Sequence, residues 1–386
     1  MKNFIYDSKT KIIFGKDEIS KLRQELIDHK VKKLLLVYGK SSIKKLGIYD
    51  KIVEVCNTLN ITLFEESGIR PNPEMESVRG GIKTCKENSV DFVLAAGGGS
   101  VIDAAKSIAF GTFFDGDVWD IYIRKSDAVK SLPLGVIITL AATGSETNGN
   151  SVISNDATSE KRSVAYPFSI PQFAIIDPQY TLSVNRHHTT AGSIDIIMHI
   201  MEQYFSNTEH TKTSDYMSLG VIQSVIENTE EINKGNDNYD VRSNISWAST
   251  IGLNWILGVD KVGDWATHRL SYALTKEYNV THGYALAMLF TSWARIAYKY
   301  NKETMTRKLQ LFGETLFGIT EPLEVLDALD DLFRSWGAEV RVNVSKELSE
   351  QDIENLTDNA LALGSVGTVV EINKERANEI FKLATG

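Results

Sequence analysis

The sequence predicts an α/β half followed by an all-helical half, dividing near residue 180. Three observations carry this. Short continuous apolar runs alternate with helix-spaced stretches as far as Asp177; long helical patterns with few β-branched runs take over from about Ser183; and the turn-rich Asp177-Pro178-Gln179-Tyr180 lies between the two regimes. The runs lack polar alternation, as strands do when crossover helices cover both faces, so the sheet is expected to be buried and mostly parallel. Such sheets take ligands outside the carboxyl ends of their strands.

The opening MKNFIYDSKTKIIFG alternates polar and apolar residues and is expected to form a strand pair rather than the apolar block of a targeting segment. Strands are then expected at Lys32–Gly39, Ile61–Glu65, Asp91–Ala96, Leu134–Thr139 and Phe173–Asp177, with helices at Glu74–Cys85 and Ile102–Ala109 between them. In the second half, Ser193–Phe205, Tyr216–Asn228, Asn244–Leu257 and His282–Tyr300 have helical spacing, and Pro322 opens a further helix at an early helical position. Lys234–Asp240 is a polar surface loop.

Composition narrows the function classes. A chain of 386 residues with 42% hydrophobic and 24% charged residues suits two domains with sizeable cores. A net charge of −9 argues against a nucleic-acid or anionic-membrane partner. Cys56 and Cys85 are too few for a disulfide framework or an all-cysteine zinc site, which points to a reducing, cytoplasmic setting. The longest apolar stretch, Leu132–Ala142, is broken by Pro133, Gly135 and Thr139 and falls short of the ~18 residues a spanning helix needs.

Three turns that follow expected strands carry ligand chemistry. Gly97-Gly98-Gly99-Ser100 closes one strand and opens a helix, where small residues admit a close ligand and free N–H groups favour an anion. Ser100 is placed to cap that helix, with Asp103 three residues on. The spacing is neither the G-x-G-x-x-G fingerprint, since Ile102 occupies the last glycine position, nor a Walker loop. The second turn, Gly39-Lys40-Ser41-Ser42, has lysines and serines with no acid before Asp50; a carboxylate there would hold a ribose 2′-hydroxyl, whereas this composition suits a 2′-phosphate. The third, Thr139 to Asn148, offers small and hydroxylated residues; by itself it is equally an ordinary polar turn.

Asp195 and His199 stand four apart on an expected helix, so they share a face. His268 and His282 come much later. One carboxylate with three imidazoles suits Fe²⁺ or Zn²⁺ and suits Mg²⁺ or Ca²⁺ poorly. An Asp–His pair at this spacing is also a common helix surface pair, and a histidine on an apolar face is also a hydrogen-bonded core residue. His187 and His188 are adjacent and are expected as a loop or helix-start pair, not as ligands.

These segments resemble the iron-dependent, or group III, alcohol dehydrogenase family over essentially the whole chain, in its NADP-linked butanol dehydrogenase and aldehyde reductase branch. The resemblance is carried by AAGGGSVIDAAKSIA from Ala95, TLAATGSETN from Thr139, FAIIDPQYTLSVNRHHTTAGSIDIIMHIMEQYFS from Phe173 and DWATHRLSYALTKEYNVTHGYALAMLF from Asp264. It implies a dehydroquinate-synthase-like fold: a Rossmann-like nucleotide-binding domain over 1–180, an all-helical metal-binding domain over 181–386, and an active site in the cleft. It makes Asp195, His199, His268 and His282 the ligands of one divalent metal, Fe²⁺ or Zn²⁺. It puts the cofactor diphosphate on Gly97, Gly98, Gly99 and Ser100, the nicotinamide side near Asp103, the rest of the cofactor along Thr139, Thr143 and Ser145, and the adenosine ribose by Gly39, Lys40, Ser41 and Ser42. The cofactor implied is NADP, with NAD as the alternative. The substrates implied are small primary alcohols and aldehydes, and the assembly a homodimer paired through N-terminal strands. Members commonly carry a histidine four residues after the third ligand; here that position is Tyr272, which becomes the candidate for proton transfer. Two other readings remain at this point: a glycerol dehydrogenase-like polyol enzyme on the same fold, and a nicotinamide-binding protein of low activity.

Overall fold

A computed structural model describes residues 1–342, 344 and 348–385. No helix among them is long and apolar enough to cross a membrane. The chain forms two compact units: an α/β unit of residues 7–184 and 238–250, and a helical unit of residues 1–6, 185–237 and 251–386.

In chain order the elements of the first are β1 (Lys11–Phe14), α1 (Leu22–Asp28), β2 (Lys33–Tyr38), α2 (Ser42–Lys45), α3 (Ile48–Leu59), β3 (Thr62–Glu66), α4 (Met75–Asn88), β4 (Phe92–Gly97), α5 (Gly99–Gly111), α6 (Trp119–Tyr122), β5 (Leu134–Ile138), β6 (Asn150–Asn155), β7 (Glu160–Ala165) and β8 (Phe173–Ile176). The order β1-β8-β5-β4-β2-β3 makes an all-parallel sheet. Its central strands β4, β5 and β8 are apolar because both faces are covered. Leu35, Val37, Val93 and Ala95 join one core with Val78 of α4 and Ile102 and Ile108 of α5. The alternate residues Leu34, Leu36, Leu94 and Ala96 join the other with Leu26 of α1 and Ile52 of α3.

The strand order decides where a ligand goes. From β2 the chain moves outward to β3, while from β4 it moves the other way to β5, and β2 and β4 are neighbours with Tyr38 opposite Ala96. The order therefore reverses between them, and the crevice outside their carboxyl ends is the binding position of such a sheet. The Gly39–Ser42 and Gly97–Ser100 turns both leave the sheet there.

Two features differ from expectation. The opening does not form a strand pair: only Lys11–Phe14 is strand, pairing with β8, while the Lys2 N–H donates to the Asp260 carbonyl in the helical unit. The alternation in Met1–Tyr6 thus reflects side chains lying along a surface, with Ile5 and Phe4 exposed. An antiparallel hairpin of β6 and β7 was not expected, because Asn, Ser, Glu, Lys and Arg fill much of both strands. It is held from the side by Asp103 of α5, which accepts the Val152 N–H at 3.1 Å.

The helical elements are α7 (Arg186–Tyr204), α8 (Lys212–Asn233), α9 (Tyr239–Gly252), α10 (Ala266–Tyr278), α11 (His282–Tyr300), α12 (Lys302–Leu316), α13 (Pro322–Ser335), α14 (Glu350–Ala360) and α15 (Lys374–Thr385). Most of α9 clusters with the sheet, where Thr250 donates to Glu146 at 2.7 Å. In the helical unit, α7 is buried all round from Thr189 to Tyr204, the mark of a central helix rather than a surface one. Helices α8 and α11 pack on α7, and α10 and α15 pack on α11.

Candidate metal centre

The glycine turn is built as a strand end running directly into α5. The cap residue is Gly98 with no side-chain capping bond, so Ser100 is not the cap expected; the helix starts two residues earlier, and Ser100 lies within its first turn. A Cβ on Gly99 would lie 2.5 Å from Cγ2 and Oγ1 of Thr143, so the 139–145 loop packs on bare backbone. Thr139 donates its N–H to the Gly97 carbonyl at 3.1 Å. Both oxygens of Asp103 are engaged inside the unit, Oδ1 by Ser145 Oγ at 2.8 Å and Oδ2 by the Val152 N–H. Lys40, Ser41 and Ser42 are exposed at the end of β2. The nearby Glu65 carboxylate is taken up by the hydroxyls of Tyr38 (2.6 Å) and Tyr49 (2.7 Å).

The second constellation lies within the helical unit. Asn185 caps α7 by accepting the His188 N–H, which places His187 and His188 in the first turn, as expected of a helix-start pair. Two turns on, Asp195 and His199 share a face of the buried helix. His268 sits in the first turn of α10 behind Trp265, which takes a left-handed conformation at φ 64°. His282 is the first residue of α11. Three helices thus bring these side chains to one place: Asp195 Oδ1 stands 3.6 Å from His199 Nδ1, 3.8 Å from His268 Nε2 and 3.7 Å from His282 Nε2. Asp195, His268 and His282 each offer a donor atom within 4.8 Å of the others. His199 joins through Asp195 and through His268, with ring centroids 4.6 Å apart.

These separations are too long for hydrogen bonds and near the ~3.4 Å edge of a tetrahedron with ~2.1 Å bonds. Asp195 Oδ1, His199 Nδ1 and His268 Nε2 are buried with no hydrogen-bond partner among the described residues. A buried polar atom left so costs about 1–3 kcal/mol, and three converging atoms fit a shared cation. The electrostatics agree. Burial pushes the Asp195 carboxyl up, but the neighbouring imidazoles outweigh it and hold the group well below the usual carboxylate range. Burial lowers His199 to about 4. For His268 burial also lowers, yet the carboxylates of Asp195 and Glu202 outweigh it and lift the ring to about 9. Tyr272 lies one turn along α10 from His268, its ring 6.0 Å from that of His282.

Sequence reasoning missed Glu202. It accepts the His268 N–H at 2.9 Å and approaches the ring Nδ1 at 3.1 Å. Its signal was present: Asp195, His199 and Glu202 fall at i, i+4 and i+7, one stripe of α7.

The family model for iron-containing alcohol dehydrogenase matches residues 9–178, and that for the C-terminal part of the Fe-containing alcohol dehydrogenase family matches 189–385. The chain belongs to the iron-containing alcohol dehydrogenase family. A probable NADH-dependent butanol dehydrogenase of Bacillus subtilis is 38% identical over 99% of both chains. The NADPH-dependent aldehyde reductase YqhD of Escherichia coli is 34% identical over 83% of this chain and 82% of that one. Among solved structures, NADH-dependent butanol dehydrogenase A of Thermotoga maritima superposes with a TM-score of 0.94 at 34% identity, covering 100% of this chain and 99% of the other. Within this iron-containing alcohol dehydrogenase, the expected α/β and helical architecture and the butanol dehydrogenase and aldehyde reductase branch both hold.

Proposed function

We propose that the protein reduces small aldehydes to primary alcohols, and runs the reverse oxidation, with NADPH as the preferred cofactor and one Fe²⁺ or Zn²⁺ ion held by Asp195, His199, His268 and His282. The observation that carries this reading is the convergence of three imidazole nitrogens on Asp195 Oδ1. The α/β unit of residues 7–184 and 238–250, rather than the expected 1–180, serves as the nucleotide-binding domain, and the helical unit of residues 1–6, 185–237 and 251–386, rather than 181–386, as the metal-binding domain. When bound, the cation supplies Lewis acidity toward a carbonyl oxygen, and the reduced nicotinamide supplies the hydride.

The chain's own residues do the rest. The first-turn N–H groups of α5 and the bare backbone of Gly97, Gly98 and Gly99 bind the diphosphate. Asp103 and Ser145 hold the cofactor-facing loop through their mutual bond. Exposed Lys40, Ser41 and Ser42 receive the 2′-phosphate; the family includes both NADH- and NADPH-dependent relatives, and the absence of an acid in this turn supports the second. Trp265, its ring 5.5 Å from His268, shields the centre from water. Tyr272 offers its phenolic proton to the product oxygen.

The chain acts as a cytoplasmic homodimer. Two buried, unpaired cysteines support the compartment. Edge strand β1 and exposed Phe4 and Ile5 support the pairing.

The test is a metal-stripped protein refilled without oxygen with Fe²⁺ or Zn²⁺ and offered NADPH with butanal. Turnover with butanal, and little with glycerol in the reverse direction, is expected. No NADPH consumption with any aldehyde overturns the reading, and faster oxidation of glycerol than of butanol favours the polyol enzyme.

A further inference from the structure

Glu202 is 1% exposed, yet it does more than fill space. Its Oε1 meets two groups of one residue: the His268 backbone N–H at 2.9 Å and the His268 ring Nδ1 at 3.1 Å. An ionised carboxylate only accepts, so Nδ1 must carry the hydrogen. In the neutral ring the other nitrogen, Nε2, is then left with its lone pair, and it is Nε2 that faces Asp195 Oδ1 at 3.8 Å.

The backbone bond fixes the same ring by a second route. His268 is the third residue of α10, and its N–H is one of the first-turn donors that have no partner inside a helix. Glu202 supplies that partner from α7. The Glu202 carbonyl in turn accepts the Asp264 N–H at 2.8 Å, so α7 grips the entry to α10 at two points.

We propose that Glu202 is a positioning residue that holds His268 in the Nδ1–H tautomer and thereby presents Nε2 to the cation. This rests on the metal-centre reading above. A ring free of Glu202 can place its hydrogen on Nε2 instead, where it blocks that nitrogen as a ligand.

The experiment measures zinc affinity of the metal-free chain by competition with a chelating dye, and records nitrogen-15 spectra of its histidine rings, with His268 assigned by its loss in His268→Asn. Recorded above the ring's value of about 9, where it is neutral, wild type is expected to show His268 as the Nδ1–H form. Glu202→Ala should lose that signature and bind zinc about 10–100-fold more weakly. Glu202→Gln, whose amide oxygen still accepts both hydrogens, should keep the signature and recover most of the affinity. Wild-type zinc affinity in Glu202→Ala overturns the proposal. So does equal weakening in both variants with the His268 tautomer unchanged, which marks a merely structural role. Should Glu202→Ala fail to fold, the wild-type and Glu202→Gln spectra still decide. Wild type that takes up no zinc overturns the metal-centre reading instead, while its spectra still report whether Glu202 sets the tautomer.

Discussion

Lys106 Nζ lies 2.7 Å from both Oγ and the carbonyl oxygen of Ser145, so the helix behind the glycine turn clasps the loop that follows β5. The lysine is fully buried, donates also to the Asn150 carbonyl at 2.7 Å, and neighbours Asp103 and Glu146. Two motifs some forty residues apart are thereby one rigid cradle. Lys106→Met keeps the stem and deletes the donors, leaving the buried oxygens of Ser145 and the Asn150 carbonyl without the ammonium they accept from. The variant is expected to lose about 1–3 kcal/mol of stability and to bind NADPH more weakly, read by urea unfolding and by fluorescence titration. Unchanged nucleotide affinity in a folded variant would detach the lysine from the cradle.

The Gly39–Ser42 turn offers a second handle. With Glu65 occupied by two tyrosine hydroxyls, a carboxylate introduced in the turn would be the one free to meet a ribose. Lys40→Asp with Ser41→Ala should therefore move preference from NADPH toward NADH. The ratio of kcat/KM values for the two cofactors reads this; an unchanged ratio would clear the turn of any part in recognition.

In the helical unit a buried triad awaits the same kind of test. Asp215 receives Lys261 at 2.9 Å and Lys308 at 2.8 Å, with Tyr204 beneath both ammonium groups. Burial pushes the Asp215 carboxyl up, but the two lysines outweigh it and hold it low. Burial lowers Lys308 to about 8. Asp215→Asn leaves two cations facing each other in the core and should cost about 3–5 kcal/mol in guanidinium unfolding, whereas replacing all three residues with apolar side chains of similar volume should restore most of it. A neutral Asp215→Asn would mean that water reaches the site.

What could be read from the chain alone follows physical lines. Leu34 to Val37, Val93 to Ala96 and Val136 to Ile138 are apolar on both faces, so the central strands were found within a residue of their ends. The β6–β7 hairpin was not found, because its buried Lys161, Arg162 and Asn155 break any apolar alternation, and Lys161 is paired with the distant Asn72. Asp195 and His199 were legible as a pair because four residues make one helical turn. Their meeting with His268 and His282 was reached through the resemblance, since no spacing encodes a contact between three helices. Glu202 was missed for a related reason: its partner is 66 residues away, and an acid in an apolar helix has no meaning until that partner is placed.

Asp264 yields a pH prediction. Burial, and then the charge of Glu202, lift its carboxyl to about 7, against the N–H groups of Ala266, Thr368 and Val369 that it accepts. The folded value lies above the unfolded one of about 4. Between the two the folded chain binds the proton more tightly, so this group's contribution is present below pH 4 and is lost as pH rises through 7. Asp264→Asn mimics the protonated form at every pH. Relative to it, the metal-free wild type should be less stable at pH 8 than at pH 5, by up to about 2.5 kcal/mol, in urea unfolding at the two pH values. A constant difference would show that Asp264 does not titrate in this window.

Tyr272 tests the proton route. It lies one turn along α10 from His268, with its ring tilted 35° to that of His282. Tyr272→Phe keeps the ring and deletes the hydroxyl, so zinc affinity should hold while kcat for aldehyde reduction falls by about 100-fold or more, the usual share of a general acid. Tyr272→His supplies a group that titrates near 6.5 rather than near 10. Its activity should therefore decline as the pH is raised through neutrality, where wild type holds steady. Should wild type bind NADPH without turnover and Tyr272→His turn over, the chain is a nicotinamide-binding protein whose relay has been lost. Should Tyr272→Phe match wild type in rate and pH profile, the proton reaches the product through water and Tyr272 serves packing alone.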